Sequence, residues 1–234
     1  MRQAQVQRHT RETRVTVDLE LDGSGKVQVD TGLAFLDHLL AAFALHALFD
    51  LRLTARGDLE VDGHHTVEDV GMCLGHALRR ALGGGEGISR WGWCLLPMDE
   101  ALVEVAVDAG GRSFLAYRVP VVPRSLGAFH TEMAPEFWRA FVRESGTTMH
   151  IHLRQGENVH HILEALWKAA GVALRQAVRI EPRLQGVPST KGAPACKDVP
   201  TSRSVPPGAV FNLSEDGHSV PVQQAGGHGE DRGL

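Results

Sequence analysis

Two segments of the chain, "HHTVED" (64–69) and "HHILEA" (160–165), each place a glutamate three positions after a pair of adjacent histidines. Imidazole nitrogens and carboxylate oxygens together suit Mn, Fe, Ni, Co or Zn ions, and they argue against Ca, Mg or Cu(I). The pattern therefore predicts metal-ion chemistry at two places in one chain. The candidate ligands are His64, His65 and Glu68 in the first copy and His160, His161 and Glu164 in the second.

A helix explains why both histidines of a pair are needed. Successive side chains on a helix differ by about 100° in direction, so His64 and His65 cannot easily bind the same ion. Glu68 lies one turn after His64, and those two side chains can hold one cation while His65 points elsewhere. In the second copy either histidine can pair with Glu164, because both lie near the first turn. Two such helices facing each other would offer four imidazoles and two carboxylates to two ions.

Further ligands are expected, because manganese prefers six. His38, within "FLDHLL", is one candidate, and the duplicated order of elements nominates Glu136, within "PEFW", as its counterpart. The alternative is that the paired histidines are buried or capping residues without a metal. Four other histidines are interpreted as surface or core residues: His46, His76, His130 and His152. Of these, His46 lies two turns after His38 and can face the same cavity.

Several basic and hydroxyl side chains are candidates for binding an anion. The loop "GVPSTKGA" (186–193) can offer backbone N–H groups and the side chains of Ser189, Thr190 and Lys191 to a phosphate. Arg90 and Arg112 lie in glycine turns, and Lys168 follows Glu164 on the second His-His helix. Each of these charges can instead be merely solvated, so only their convergence with a metal site favours a phosphorylated ligand.

The elements that would position these residues occur in the same order twice. Alternating apolar residues predict a strand at 14–23, with "KVQVD" pairing beside it, and helical spacing predicts a helix at 33–49. Another strand is predicted after "HALF" (46–49). The first His-His helix follows it and ends at the glycines at 83–85. The second half predicts strands at 101–112 and "SFLAYRVPV", a helix at 134–145, a strand at 147–156, and a helix at 158–178 that Asn158 caps. This order predicts an internally duplicated α+β domain with helices packed on antiparallel sheet.

Composition narrows the function classes. The net charge of −4 gives no reason to expect nucleic acid as a partner, and no apolar run is long enough to cross a membrane. The three cysteines have no paired spacing, which argues against a disulfide scaffold and predicts a cytoplasmic protein. The last 41 residues, 194–234, contain 5 prolines and 6 glycines, and we expect them to form a disordered tail.

The motifs, taken in order, resemble those of the imidazoleglycerol-phosphate dehydratase family. The resemblance lies in "FLDHLL", "DGHHTVEDVG", "PMDEALVEVAVDAGGR", "GENVHHILEALWKAAGVALRQAV" and "VPSTKG", and it extends from about Arg8 to Ala193. It implies an α+β fold of the ribosomal protein S5 domain 2-like type, an internally duplicated unit in which a four-stranded, mostly antiparallel sheet packs with two helices. It also implies one domain at 1–193, with halves at about 8–88 and 89–193, and a homo-oligomer of 24 subunits built from trimers, with each site shared between subunits.

The resemblance implies an activity as well, that of a carbon–oxygen lyase (hydro-lyase) of L-histidine biosynthesis. Such an enzyme converts D-erythro-imidazole glycerol phosphate into imidazole acetol phosphate and water, and its two Mn²⁺ ions per site bind the substrate imidazole as imidazolate. Carried onto this sequence, one ion would be held by His38, His65, His160 and Glu164, and the other by His64, Glu68, His161 and Glu136. Catalytic roles fall on Glu12 (as general acid/base), His65 and Glu164. Substrate contacts fall on Glu12, His38, His46, Arg90, Arg112, Lys168, Ser189, Thr190 and Lys191.

This chain departs from the family pattern at several positions. Ala41 and Ala42 stand where relatives often carry residues of a substrate-contacting segment, Gly63 replaces a frequent acidic residue, and Glu136 stands where some relatives carry histidine. Two rival hypotheses remain at this stage. One is another dimetal enzyme that acts on a small phosphorylated metabolite, and the other is a non-catalytic metal store or structural shell.

Overall fold

The first half of the chain folds into a four-stranded sheet and two helices. Strands β1 (Gln3–His9) and β2 (Thr13–Glu20) form a hairpin, and β3 (Val27–Asp30) leads into helix α1 (Ala34–Ala47). Strand β4 (Asp50–Gly57) then precedes helix α2 (His64–Leu82). The strand order is β1-β2-β4-β3, with antiparallel pairing everywhere except between β3 and β4, which are parallel.

The second half repeats this topology. It comprises β5 (Trp91–Met98), β6 (Ala101–Asp108), β7 (Phe114–Arg118), the short strands β8 (Ser125–Leu126) and β9 (Phe129–His130), helix α3 (Met133–Ser145), β10 (Thr148–Gln155) and helix α4 (Val159–Val178). The sheet order is β5-β6-β10-β7, and again only the last pair is parallel. Apart from the inserted β8–β9 hairpin, each element has its counterpart in the first half. The predicted fold class, an internally duplicated α+β unit of two mostly antiparallel sheets with two helices each, is therefore confirmed.

The predicted pairing of "KVQVD" with the strand at 14–23 is wrong. Both edges of β2 are occupied, by β1 on one side and β4 on the other. Strand β3 instead pairs in parallel with β4, with Val27 opposite Leu51. The reason is that α1 connects β3 to β4 as a crossover, and a strand–helix–strand crossover places its two strands parallel.

Strands β1 and β5 are two further elements that the sequence pattern did not predict. In β1 ("QAQVQRH") only Val6 is buried, so there is no apolar alternation to read. In β5 the large aromatic residues Trp91 and Trp93 face outward, and Gly92 occupies the buried position between them. An inward glycine is needed there because α4 lies so close that a Cβ on Gly92 would overlap the backbone of Ala173.

Each helix packs side by side with a helix of the other half. Helices α1 and α4 form one such pair, and α2 and α3 form the other. Contact is close enough for a Cβ on Gly71 to lie 2.6 Å from the carbonyl oxygen of Phe137, and four residues later Gly75 meets Phe141 in the same way. The paired helices therefore run parallel, and their N-terminal ends lie next to each other. This packing is what brings α1 beside the start of α4.

A computed structural model describes residues 1–189, 211–213 and 219–221. Residue contacts group Met1–Ala193 into one compact unit and Pro194–Leu234 into another. In the second unit the described segments are strands β11 (Phe211–Leu213) and β12 (Ser219–Pro221), which pair antiparallel. Thr190, Lys191 and most of the predicted disordered segment 194–234 lie outside the described residues, and the predictions on them stay predictions. No helix in the described part of the chain is both long and apolar enough to span a membrane.

Candidate metal centre and anion-binding residues

Helix α4 begins at Val159, immediately before the second His-His pair. The side chain of Asn158 accepts a hydrogen bond of 2.9 Å from the backbone N–H of His160, which confirms the predicted N-cap. With the helix started at Val159, His160 and Glu164 are one turn apart on the same face. Nε2 of His160 lies 3.2 Å from Oε2 of Glu164.

A third ligand candidate reaches the same point from the other half of the chain. Nε2 of His38, on α1, also lies 3.2 Å from Oε2 of Glu164. The ligand atoms of His38, His160 and Glu164 all lie within 4.8 Å of one another, and no other group of this kind occurs in the described part of the chain. The ring of Phe35 packs edge-on against His160 at a centroid distance of 5.0 Å. Two imidazoles and a carboxylate from helices α1 and α4 thus come together, whereas the predicted facing of the two His-His helices, α2 and α4, does not occur within one chain.

Glu164 is held in its ionised form. Its side chain is only 11% exposed. Oε1 of Glu164 forms an ion pair of 2.8 Å with Nζ of Lys168, one turn further along α4. Burial by itself raises the pKa of this carboxyl group, but hydrogen bonds from Lys168 and His38 outweigh that effect and bring the pKa down to about 2. The carboxylate is therefore available as a ligand at any physiological pH. Burial, followed by the positive charge of Lys168, lowers the pKa of His46.

His65 does not join this cluster within one chain. Its Nδ1 lies 2.9 Å from Oδ2 of Asp58, just after β4, and 3.8 Å from Oε2 of Glu12, in the β1–β2 turn. The hydrogen bond with Asp58 raises the pKa of His65. Glu12 is thus next to a candidate ligand, although the two are distant in sequence.

His161 also lies among acidic side chains, here in the second half of the chain. Its Nδ1 lies 2.8 Å from Oε2 of Glu100, and its Nε2 lies 3.7 Å from Oδ2 of Asp99, both in the β5–β6 turn. This hydrogen bond raises the pKa of His161 and is the largest reason why the pKa of Glu100 falls to about 2. Asp58, Asp99 and Glu100 were not among the residues predicted from the sequence to belong to the site. The signal available for the last two was the acidic pair "DE" at a hairpin turn.

The remaining predicted ligands are not assembled around a common point in one chain. Glu68 pairs with Arg143 of α3 at 3.6 Å, and Glu136 pairs with Arg139 one turn further along α3. The backbone N–H of His64 donates to Asp62 at 2.7 Å. Within the described part of the chain, the second predicted ligand set is therefore dispersed; it comprises His64, Glu68, His161 and Glu136.

The predicted anion-binding residues form two separate groups. Arg90 binds both oxygens of Asp108 at 2.7 and 3.0 Å and donates to the carbonyl oxygen of Pro188 at 2.8 Å, which ties it to the loop that contains Ser189. Arg112 reaches the same Asp108 at 3.6 Å while its side chain stays 77% exposed. Arg90 also donates its backbone N–H to Ala177, nine residues after Lys168 on α4, which separates the two groups by about 13 Å along the helix.

Imidazole, carboxylate and guanidinium side chains on neighbouring elements of a duplicated α+β fold are the kinds of groups that enzymes use to bind and transform small molecules. The chain belongs to the imidazoleglycerol-phosphate dehydratase family: the family model of that name matches residues 31–174. Enzymes of this name from Syntrophobacter fumaroxidans and Moorella thermoacetica are 52% and 53% identical to it, each over 189 residues that make up 81% of this chain and 96% of the relative. The predicted family and the predicted class of hydro-lyase are confirmed.

Solved structures agree with this assignment. The crystal structure of the Pyrococcus furiosus imidazoleglycerol-phosphate dehydratase has a TM-score of 0.70 and 38% identity, and the match covers 80% of this chain and 99% of that one. The Staphylococcus aureus enzyme has a TM-score of 0.68 and 32% identity, with 76% and 99% covered. The relatives are covered almost completely although part of this chain is left over, so this chain is longer than the proteins it matches.

Proposed function

We propose that this chain dehydrates D-erythro-imidazole glycerol phosphate to imidazole acetol phosphate and water in L-histidine biosynthesis. The proposed site is a dimanganese centre that binds the substrate imidazole as imidazolate. The observation that carries the proposal is the cluster of His38, His160 and Glu164, whose ligand atoms lie within 4.8 Å of one another. Membership of the family supports the identity of the substrate and the reaction.

The donor set fits manganese. Two imidazoles and one ionised carboxylate suit a borderline divalent cation better than calcium or copper(I). We propose that His38, His160 and Glu164 together with His65 hold one ion, and that His64, Glu68, His161 and Glu136 hold the other. When bound, the two ions would supply Lewis acidity to the substrate imidazole.

The separation of His65 from the first cluster and the dispersal of the second ligand set support a site shared between subunits. His65 and His161 each face acidic side chains of their own half, and Glu68 and Glu136 pair with arginines, so one subunit alone leaves these ligands apart. We propose that they meet across subunits in a homo-oligomer, a 24-mer built from trimers. The ions would then join the subunits as well as bind the substrate.

The chain's own residues would bind the substrate and move its protons. Glu12 is the proposed general acid/base, because its carboxylate lies 3.8 Å from Nδ1 of His65 and its side chain is 58% exposed. We propose that Arg90, Arg112, Ser189, Thr190 and Lys191 bind the phosphate and that His46 and Lys168 contact the substrate near the first ion. The exposed guanidinium of Arg112 is free to approach an anion, whereas Asp108 fixes that of Arg90 in place.

We further propose that the enzyme works in the cytoplasm on a free small molecule, without nucleic acid or membrane as a partner. Cys73 and Cys94 are free thiols, as a reducing compartment requires.

One assay tests the proposed reaction. The full chain is stripped of metal, reloaded with Mn(II), and incubated with imidazole glycerol phosphate while mass spectrometry follows the loss of one water. We expect turnover that disappears with a chelator, a loss of at least 100-fold in Glu164→Gln, and normal turnover in Glu157→Gln, an exposed carboxylate seven residues earlier, just before α4. Release of inorganic phosphate without dehydration would favour the rival dimetal hydrolase. Bound metal without any product would favour a metal store.

A further inference from the structure

We infer that Asp58 and Glu100 are positioning residues that fix the tautomer of the second histidine in each His-His pair. Each carboxylate accepts a hydrogen bond from Nδ1 of its histidine, at 2.9 Å between Asp58 and His65 and 2.8 Å between Glu100 and His161. The inference rests on the proposed metal site, and it assigns that site two residues that are not themselves ligands.

The two contacts arise from different parts of the duplicated unit. Asp58 follows the last residue of β4, in the loop before α2, whereas Glu100 lies in the turn between β5 and β6. These positions are not equivalents in the two halves. The same Nδ1 contact is therefore reached by two unrelated routes, which the duplication of the fold alone does not explain.

The chemistry of imidazole gives the contact its consequence. A neutral imidazole has one nitrogen that donates and one that accepts, and an ionised carboxylate can only accept. Asp58 and Glu100 therefore require the proton on Nδ1 and leave the lone pair on Nε2, the nitrogen that can bind a cation. His38 and His160 also direct Nε2 toward their cluster, each at 3.2 Å from Glu164. All four histidines would thus offer the same nitrogen.

The two carboxylates differ in how their second oxygen is used. Oε1 of Glu100 accepts from the backbone N–H of Asn158 at 2.8 Å, so both of its oxygens are engaged. Oδ1 of Asp58 is buried without a hydrogen-bond partner. An amide has one oxygen and one NH₂ group, so replacing each carboxylate by its amide gives unequal results.

In Glu100→Gln the single oxygen stays with Asn158, and the NH₂ group faces Nδ1 of His161. That arrangement requires the opposite tautomer, with the proton on Nε2, where a cation cannot bind. In Asp58→Asn the oxygen can remain on His65 while the NH₂ group takes the place of the unpartnered Oδ1. We therefore expect a large effect from the first substitution and a small one from the second.

The test measures Mn(II) affinity of the full chain from the electron paramagnetic resonance signal of free Mn(II). We expect Glu100→Gln and Asp58→Ala to weaken Mn(II) binding by roughly 10- to 100-fold, the usual effect of losing a carboxylate partner of a metal-bound histidine. Asp58→Asn should weaken it less than about threefold, and Glu100→Asp, which keeps both oxygens, should recover most of the affinity. Glu157→Gln and Glu60→Gln, exposed acids in the same two regions, are the controls and should bind as the unsubstituted chain does.

The outcomes separate this inference from the proposed function. If the unsubstituted chain binds Mn(II) and dehydrates its substrate while Glu100→Gln and Asp58→Ala bind Mn(II) equally well, only the inference is wrong. If the unsubstituted chain binds no Mn(II), both the proposed function and this inference are wrong. Because Glu100 also holds the start of α4, its variants are compared by metal-free unfolding temperature, and if Glu100→Gln does not fold, the Asp58→Ala and Asp58→Asn pair decides.

Discussion

Glu164 on α4 and His38 on α1 lie 3.2 Å apart although they belong to opposite halves of a duplicated fold. Helices α1 and α4 run parallel, so their first turns meet and the two side chains face the same small volume. Lys168 holds the other oxygen of Glu164 at 2.8 Å. The carboxylate is thus oriented before any ion arrives, and this preorganisation is the basis of the predictions that follow.

Replacing His38 should remove metal. In His38→Ala the cluster keeps one imidazole and one carboxylate, and we expect Mn(II) affinity to fall by more than about 100-fold, beyond the usual cost of losing an outer partner. Elemental analysis after dialysis at fixed Mn(II) measures the bound metal. His130→Ala, an exposed histidine on β9, is the matched control. Full metal content in His38→Ala would contradict the assignment of this ligand.

The stability of the metal-free chain should depend on Glu164 in a defined pH range. The pKa of Glu164 is about 2 in the folded protein against 4.5 for an ordinary glutamate, so its ionised form favours the folded state. That contribution is complete above about pH 5 and is lost as the pH falls through 4.5 toward 2. Unfolding in urea should therefore show wild type exceeding Glu164→Gln most clearly near pH 6, with the difference decreasing below pH 4.5. A difference independent of pH would reject this origin.

Tight packing between the halves should be sensitive to one methyl group. A Cβ on Gly171 of α4 would overlap the carbonyl oxygen of Phe43 on α1, so Gly171→Ala must push the two helices apart. We expect a loss of about 1–3 kcal/mol in the free energy of unfolding, together with weaker Mn(II) binding, because His38 moves away from Glu164. Gly84→Ala, at a position with room for a Cβ, should change the stability by less than about 1 kcal/mol.

The two arginines around Asp108 should behave differently. Arg112 is exposed, and its side chain donates to no backbone group among the residues that the structure describes. Arg112→Ala should therefore raise KM about tenfold or more and leave the unfolding temperature unchanged. Arg90 also ties down the carbonyl of Pro188, so Arg90→Ala should lower stability in addition. Steady-state kinetics and thermal unfolding of both variants separate the two effects, with Arg52→Ala, an exposed residue of β4, as the control. Equal KM values in Arg112→Ala and the unsubstituted chain would remove Arg112 from the phosphate site.

Assembly should depend on metal if ligands meet across subunits. We expect His65→Ala, or treatment with a chelator, to lower bound Mn(II) and to convert large particles into smaller ones in size-exclusion chromatography with light scattering. Adding Mn(II) back should restore large particles of the unsubstituted chain and not of the variant. His76→Ala, on the same helix, should assemble normally. Large particles that persist without metal would show that the ions do not join the subunits.

Much of this architecture can be read from the sequence because local signals agree with the fold. The alternation of Val15, Val17 and Leu19 predicts a half-buried strand, and all three are buried. The capping Asn158 and the His160–Glu164 spacing directly predict one edge of the candidate metal site. In these places the spacing of the residues along the sequence matches the repeat of the backbone, which is two residues in a strand and about 3.6 residues in a helix.

Other features depend on distances that the sequence does not contain. The sequence of strand β3 is compatible with pairing to either β2 or β4, and the crossover through α1 determines that it pairs with β4. Asp58 and Glu100 look like ordinary turn acids until folding places them on Nδ1 of His65 and His161. The dispersal of Glu68 and Glu136 onto arginines likewise follows from the tertiary packing of α2 with α3.

The exchange of helix partners between the halves has a consequence for symmetry. Helix α1 packs on α4, the equivalent of α2, and α2 packs on α3, the equivalent of α1. This is the reciprocal pattern of an isologous dimer interface, here covalently joined into one chain. Within that fused dimer the His38 cluster is an interface site, so its two sides are free to carry different residues. A true homodimer would have to place the same side chain at both copies, whereas this chain has histidine on α1 and Glu136 at the corresponding part of α3.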